Sequence, residues 1–308
     1  MTFFIELRTK IRKFAVTRER WIVCVLRFTL ALIALLVTNS VLGYQDILNR
    51  WWVAVIIAVI CAFMQIQGVT AVILFYGLLH LMTLSTDVAV AAVMLLVVSY
   101  GVCAYFQSKS TYHLIAIPVC FQFHIPFLMP LGAGLLGGIN EFPSVLLGAV
   151  VSYFLRTVSI NASMFLEAGS EMTASALIQS KLLASPMFYI YLVAMSVVFI
   201  LVYYIRTSKI KHAWAIAVVA GVVTEYIIML AGYLFVEGRS GILSLSIGSA
   251  VTLLIGLIVT FLVQGVDYSR TEQVLFEDDD YYYYVTAVPK MHIAEQEKEI
   301  KKITGERE

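Results

Sequence analysis

The chain has 308 residues, of which 61% are hydrophobic and only 13% are charged. Soluble domains carry roughly a quarter charged residues, so this composition excludes an ordinary water-soluble domain. The charges also cluster at the ends: residues 1–20 carry eight of the 41 and sum to +4, and residues 266–308 carry 17 and sum to −5. Neither end interleaves a basic stripe with aromatic residues, so we expect no nucleic-acid partner.

The basic N-terminal segment, residues 1–20, is followed by an apolar segment from Trp21 to Gly43. As a helix this segment is about 34 Å long, enough to cross a hydrocarbon core of about 30 Å. A cleaved signal peptide is the competing interpretation, but residues 39–42 make a poor small-x-small cleavage site. We therefore predict an uncleaved first span and a transmembrane domain over residues 21–265, with the lipid bilayer around it.

Four further spans are predicted from long apolar runs between polar residues, at 87–106, 186–205, 213–236 and 241–265. The run 51–83 is too long for one straight crossing and carries Gln65, Gln67 and Gly68 near its middle. It is predicted to form either a hairpin of two short spans or one long kinked helix.

Two other stretches are irregular. Residues 113–156 contain four prolines, at 118, 126, 130 and 143, and a cluster of glycines at 132, 134, 137 and 138, which predicts two broken or short helices. Residues 160–183 are less apolar and repeat hydrophobic residues at near-helical spacing, which predicts an amphipathic helix lying at the membrane interface.

The basic segments predict the orientation, because Lys and Arg near span ends favour the cytoplasmic side. The N-terminal segment and the loop 206–212 are both basic, so they and the tail are expected in the cytoplasm. Both ends inside require an even number of crossings, whereas a simple count of apolar segments is odd. We predict an all-α polytopic transmembrane helix bundle of about eight crossings, with 51–83 as one kinked crossing or, alternatively, 113–131 as a re-entrant element.

The tail, residues 266–308, has two β-favouring stretches around an acidic break, which predicts a short cytoplasmic β-hairpin at about 272–289. An isolated hairpin is only marginally stable in water, so this one is expected to pack on something. Its four consecutive tyrosines, Tyr281, Tyr282, Tyr283 and Tyr284, are candidates for binding a cytoplasmic partner protein or a second copy of the chain in a homo-oligomer. The highly charged end is expected to be disordered.

Two segments carry a resemblance. The run VDYSRTEQVLFEDDDYYYYVTAVPK, Val266 to Lys290, and the run MPLGAGLLGGINEFPSVLLGAVVSYFL, residues 129–155, are similar to a family of uncharacterised multi-spanning membrane proteins of Gram-positive, clostridia-like bacteria. The resemblance implies a multi-pass protein of the bacterial plasma membrane. Some members of that family carry a transporter-permease label, so the resemblance also favours transport slightly.

Glu225 and Arg27 are ionisable residues placed deep inside predicted spans. Such groups are costly in a bilayer unless they are paired or hydrated, so each is a functional candidate. An Arg27–Glu225 ion pair would be a purely structural solution. The alternative is that Glu225 binds a proton or a substrate.

His124, Asn140 and Glu141 form a second candidate set within the proline- and glycine-rich stretch. Broken helices expose backbone dipoles at membrane depth, and many transporters hold ions and small solutes in this way. The competing interpretation is that Asn140 and Glu141 form a water-exposed turn before Pro143.

Motifs for nucleotide hydrolysis, serine hydrolysis and zinc binding are missing from the sequence, so we expect no enzyme, no cofactor and no metal. The leading hypothesis is a permease-like transport component for a small solute, driven through a separate ATPase subunit if it needs nucleotide hydrolysis. The alternative is a membrane-anchored scaffold that binds its partner through the tyrosine-rich hairpin. An intramembrane enzyme is a weaker third possibility.

Overall fold

The computed structural model describes residues 2–167, 179–210, 212–237, 241–263, 272–277 and 282–287. The chain divides into two compact units, one made of residues 1–17 with 262–308 and the other of residues 18–261. We describe each unit by itself.

The terminal unit contains helix α1, Thr2–Thr17, which the sequence analysis had treated only as a basic segment. The described tail residues form strands β1, Glu272–Glu277, and β2, Tyr282–Ala287, which pair antiparallel with Glu272 opposite Ala287. The connecting residues 278–281 and everything after 287 lie outside the described residues. The predicted hairpin and its disordered end therefore stay predictions.

The second unit is a helical bundle. Its helices are α2 Glu19–Val41, α3 Trp51–Phe63, α4 Ile66–Leu84, α5 Thr86–Gln107, α6 His113–Gln122, α7 Leu128–Leu136, α8 Phe142–Ile160, α9 Ala162–Glu167, α10 Pro186–Thr207, α11 Ala213–Gly232 and α12 Ile242–Val263. Turns of 3-10 helix lie at Ser108–Tyr112 and Ile139–Glu141, and turns of π-helix at Gln179–Leu183 and Tyr233–Glu237.

Seven helical segments of the described chain are long and apolar enough to cross a membrane: Glu19–Val41, Ile66–Leu84, Thr86–Phe106, Ile139–Ile160, Pro186–Thr207, Ala213–Val236 and Ile242–Val263. Helix α3, Trp51–Phe63, is apolar but shorter. Large apolar side chains on the outside of α5, such as Val90, Met94 and Val97, are more than half exposed, which suits contact with lipid. The prediction of a multi-pass membrane protein is confirmed.

The core of the bundle is built along one face of α10. Tyr191, Met195, Val198, Phe199 and Val202 recur every three or four residues, and each is at most 2% exposed. This spacing places them on one side of a helix, where they pack against neighbouring helices instead of lipid. Helix α10 packs chiefly against α7, α8 and α11.

The run 51–83 folds back on itself. Arg27 of α2 donates from Nη1 to the Met64 carbonyl at the end of α3, at 2.9 Å, so α3 runs back along α2. The Tyr76 hydroxyl of α4 donates to Asn39 Oδ1 near the end of α2, at 2.6 Å, so α4 runs forward again. The preferred prediction of one kinked crossing is therefore wrong, and the two-helix alternative describes the segment.

We call the side where α2 begins, at Glu19, the near side and the side where it ends, at Val41, the far side. Helix α5 returns to the near side, because the Tyr100 hydroxyl lies 3.4 Å from the Gln67 carbonyl at the start of α4. Helix α8 runs from the near side to the far side, because Ser159 Oγ donates to the Val41 carbonyl at 3.0 Å.

The chain enters α6 and leaves α7 on the same side of the bundle, the near side. Ser110, just before α6, hydrogen-bonds Ser144 at the start of α8, with 2.7 Å between the hydroxyl oxygens. After α7 the chain comes back to His113, the first residue of α6, whose Nε2 lies 3.8 Å from Glu141 Oε2. The segment 113–141 is therefore a helix pair whose two ends lie on the same side of the bundle, and we call it the re-entrant pair. The alternative prediction that 113–131 is re-entrant in the membrane stays a prediction.

The remaining long helices alternate in direction. Helix α10 ends on the near side, where Arg206 reaches the carbonyl of Leu135 at the end of α7. Helices α11 and α12 then form an antiparallel pair, joined by a hydrogen bond from Ser249 to Glu225. Of the predicted interfacial helix 160–183, the structure describes Ala162–Glu167 and Gln179–Leu183 as helical turns, and residues 168–178 lie outside the described part.

The re-entrant path predicts where cysteines can be labelled. In a cysteine-free variant, Lys109→Cys and Asn140→Cys, both at exposed positions, should react with a membrane-impermeant maleimide from one side of the membrane. Asp46→Cys, exposed in the loop after α2, should react only from the other side. Labelling of Lys109→Cys and Asn140→Cys from opposite sides would contradict the re-entrant pair.

Candidate functional site

A cavity of about 580 Å³ lies among α2, α4, α6, α8, α11 and α12. Its wall includes the far-side ends of several helices, at Leu42, Ile160 and Tyr233, and the bend between α6 and α7 at residues 124–127. The cavity thus occupies the far half of the bundle. The side chains along its wall that can form hydrogen bonds are Thr38, Gln122, His124, Ser152, Arg156, Ser159, Glu225, Tyr233, Ser244, Ser249 and Thr252.

Glu225 carries the unusual chemistry of this cavity. It lies in α11, is only 1% exposed, and accepts a hydrogen bond on Oε1 from the Ser249 hydroxyl at 2.8 Å. Its other oxygen, Oε2, has no hydrogen-bond partner among the described residues. A buried carboxyl oxygen without a partner is costly, so this position needs a proton, a water molecule or a ligand.

Arg156 lines the same cavity, and the sequence analysis missed it. Its guanidinium lies over the Phe121 ring, 5.2 Å from the centroid, and makes no hydrogen bond or ion pair to the described residues. A single cation in the otherwise apolar helix 142–160 is the sequence signal that could have identified it. The cavity therefore contains one acidic and one basic side chain, which the described structure does not pair with each other.

The predicted Arg27–Glu225 ion pair is absent from the structure. Arg27 donates to the Met64 carbonyl, one of the carbonyls that the end of α3 leaves without a helical partner. Met64 and Gln65 are extended, so the Arg27 contact holds the break between α3 and α4. Arg27 therefore stabilises the fold at a distance from the cavity, and the ion-pair prediction is wrong.

The predicted set of His124, Asn140 and Glu141 is not brought together. His124 lies at the bend between α6 and α7, with a positive φ of 60°, and lines the cavity. Asn140 is exposed at the near side, as the turn interpretation expects, but Glu141 is buried beside His113. His124 therefore lies at the bend of the pair and Glu141 at its near-side base, and of the three predicted residues His124 alone lines the cavity.

The near half of the bundle is closed by tight packing of α7. A Cβ added at Gly134 would lie 3.0 Å from the Phe199 carbonyl oxygen and from Val202, which is tighter than most Cβ contacts, so glycine favours the close approach of α7 to α10. Arg206 adds a clamp, donating to the carbonyls of Leu135 at 2.6 Å and Gly137 at 3.0 Å. These contacts hold α7 against α10 on the near side of the bundle.

The tyrosine cluster falls largely outside the described structure. Tyr281 lies outside it altogether, and Tyr282, Tyr283 and Tyr284 are described only as backbone of β2. Their predicted role in binding a partner stays a prediction. In the part of the chain that the structure describes, no three His, Cys, Asp or Glu side chains group closely enough to hold a metal ion.

Comparison with protein-family models, curated proteins and solved structures found no match for this chain. The resemblance to a clostridia-like membrane family therefore stays a prediction.

Proposed function

We propose that this protein is a permease-like membrane component that binds a small solute in its far-half cavity. One observation carries the proposal: the unpartnered Oε2 of Glu225, buried in the wall of a cavity of about 580 Å³. An ionisable group at membrane depth is costly and is therefore a functional candidate, and solute sites in transporters lie near the bilayer midplane between broken helices. The broken pair here is α6 and α7.

The proposed topology has eight crossings, made by α2, α3, α4, α5, α8, α10, α11 and α12. Helix α3, 13 residues long, extends about 20 Å and has to cross where the bilayer is thin or where polar groups reach it. The loop after α10 follows Arg206 and contains Lys209, so the positive-inside rule assigns the near side to the cytoplasm. The cavity then faces away from the cytoplasm.

The arrangement matches one state of an alternating-access cycle. The cavity extends to the far-side helix ends, while α7 and Arg206 close the near side. A transport cycle requires a second state in which the near side opens and the far side closes. The re-entrant pair is the element that has to move, since it forms the bottom of the cavity and the seal below it.

Glu225→Gln tests the proposal, because glutamine keeps the size of the side chain and removes its negative charge. Wild-type and variant protein are reconstituted in liposomes and exposed to an isotope-labelled bacterial extract, and mass spectrometry identifies the solutes that enter. We expect at least one solute to enter wild-type vesicles about tenfold faster than Glu225→Gln vesicles, a barrier difference near 1.4 kcal/mol. Asp46→Asn makes the same chemical change on an exposed loop and serves as the control.

The scaffold alternative predicts the opposite ranking of variants. Deletion of residues 267–308 should leave uptake largely intact if the protein transports, and should release co-purifying proteins if it is a scaffold. Equal uptake by wild type, Glu225→Gln and empty liposomes for every solute in the extract would contradict the transport proposal.

A further inference from the structure

The cavity contains one acidic and one basic side chain that do not pair with each other. Glu225 and Arg156 both line it, yet the described residues show no ion pair between them within 4.0 Å. Glu225 is held from one side by Ser249, and Arg156 lies on the Phe121 ring. Each side chain therefore keeps part of its bonding capacity for another molecule.

The two charges lie at comparable depth. Ser249, the partner of Glu225, comes seven residues after the far-side start of α12 at Ile242, which is about 10 Å along the helix axis. Arg156 comes four residues before the far-side end of α8 at Ile160, or about 6 Å. A molecule entering from the far side thus meets the cation first and the carboxyl about one helical turn deeper.

We propose that the cavity binds a zwitterionic molecule whose cationic group contacts Glu225 and whose anionic group contacts Arg156. This inference rests on the proposed function and names the chemical class of the solute. A ligand with only a carboxylate would leave the buried Glu225 carboxyl without a cationic partner, and a ligand with only an amine would leave the exposed guanidinium of Arg156 to solvent. A zwitterion satisfies both charges and adds no net charge to the bilayer.

The wall of the cavity also selects for an apolar part in the ligand. Besides its polar residues, the wall contains many aliphatic and aromatic side chains, among them Val37, Ile73, Leu96 and Phe127. Burial of apolar ligand surface against such a wall is favourable at about 25 cal/mol per Å². α-Amino acids with large aliphatic or aromatic side chains fit this pattern, and so does the zwitterionic headgroup of a phospholipid such as phosphatidylethanolamine.

The test uses the full chain in nanodiscs of phosphatidylglycerol, a lipid without a cationic group. Equilibrium binding is measured for labelled L-leucine and L-phenylalanine, with isopentylamine as a probe that has only the amine and 4-methylpentanoate as a probe that has only the carboxylate. We expect an amino acid to bind at least about tenfold more tightly than either single-charge probe. If the purified protein instead retains phosphatidylethanolamine, as measured by lipid mass spectrometry, the zwitterion that it binds is a lipid headgroup and not a free amino acid.

Variants of Arg156 and Glu225 test which group of the ligand each of these side chains contacts. In Arg156→Gln the carboxylate of leucine loses its partner, so leucine and isopentylamine should bind equally; in Glu225→Gln leucine and 4-methylpentanoate should bind equally. Arg156→Lys keeps the charge and should restore part of the preference for leucine. Arg50→Gln and Asp46→Asn, at exposed positions, should bind as the wild type does. Size-exclusion chromatography shows whether each variant is folded.

The proposal is overturned if neither an amino acid nor phosphatidylethanolamine binds, or if the single-charge probes bind wild type as tightly as leucine does. Its failure is separable from failure of the proposed function. Binding of a zwitterion without uptake into liposomes would contradict transport alone. Uptake of a singly charged solute that depends on Glu225 would contradict the zwitterion alone.

Discussion

Gly248→Ala is expected to prevent the re-entrant pair from docking and to destabilise the bundle by about 3 kcal/mol or more. The glycine lies in α12 directly against the His124 carbonyl, so an added Cβ overlaps a backbone oxygen that cannot rotate away. Relief requires α12 to move away from the bend between α6 and α7. The far-half cavity, which both elements line, would be distorted as well.

The measurement is the midpoint of thermal unfolding in detergent, followed by the loss of the monodisperse size-exclusion peak. Gly101→Ala in α5 and Gly132→Ala in α7 are matched controls, because a Cβ at either position meets no atom within 4 Å. Alanine favours a helix over glycine by about 1 kcal/mol, so the controls should be neutral or slightly stabilised. An unfolding midpoint for Gly248→Ala equal to those of the controls would show that this contact does not hold the fold.

Arg206→Ala is expected to release the end of α7 and to cost about 3 kcal/mol, the sum of two hydrogen bonds from a charged donor at about 1.5 kcal/mol each. The guanidinium reaches the carbonyls of Leu135 and Gly137 at the same time and also lies over the rings of Tyr203 and Trp214. Lysine has a single charged nitrogen without the planar fork, so Arg206→Lys should recover only part of the loss.

Hydrogen exchange of the backbone amides in residues 128–141 reports this change directly. We expect faster exchange there in Arg206→Ala, an intermediate rate in Arg206→Lys, and a wild-type rate in the control Arg50→Ala, whose side chain is exposed at the start of α3. Unchanged exchange in both Arg206 variants would mean that the packing of Gly134 against α10 closes the near side without the clamp.

Much of the architecture was predictable from the sequence. The spans at 87–106, 186–205, 213–236 and 241–265 correspond to helices with nearly the same bounds. A run of about 20 apolar residues partitions into the bilayer by its own length and composition, and its backbone has to form a helix there. Glu225 was identified for the same reason, since an acidic residue inside such a run stands out without knowledge of its neighbours.

The path of the chain through 51–83 and 113–141 was harder to predict. Both segments are apolar with internal breaks. The sequence alone did not show that 51–83 forms two helices running in opposite directions, or that both ends of 113–141 lie on the same side of the bundle. The reversal after α3 depends on Arg27, which comes from another helix and satisfies the Met64 carbonyl. A break in an apolar run indicates that the helix ends, but the direction of the next helix is set by contacts with distant residues.

The sequence by itself determined that the chain lies in a membrane, which segments are apolar enough to cross it, and that Glu225 is buried. Only the tertiary structure decided that Arg27 binds the Met64 carbonyl at the end of α3 and that Arg156 shares a cavity with Glu225. It also decided that His124 lies at the bend of the re-entrant pair while Glu141 lies at its near-side base. The physical reason is that partition into lipid depends on the local average of hydrophobicity. The partner of a polar side chain depends instead on how each helix is rotated and placed against the others.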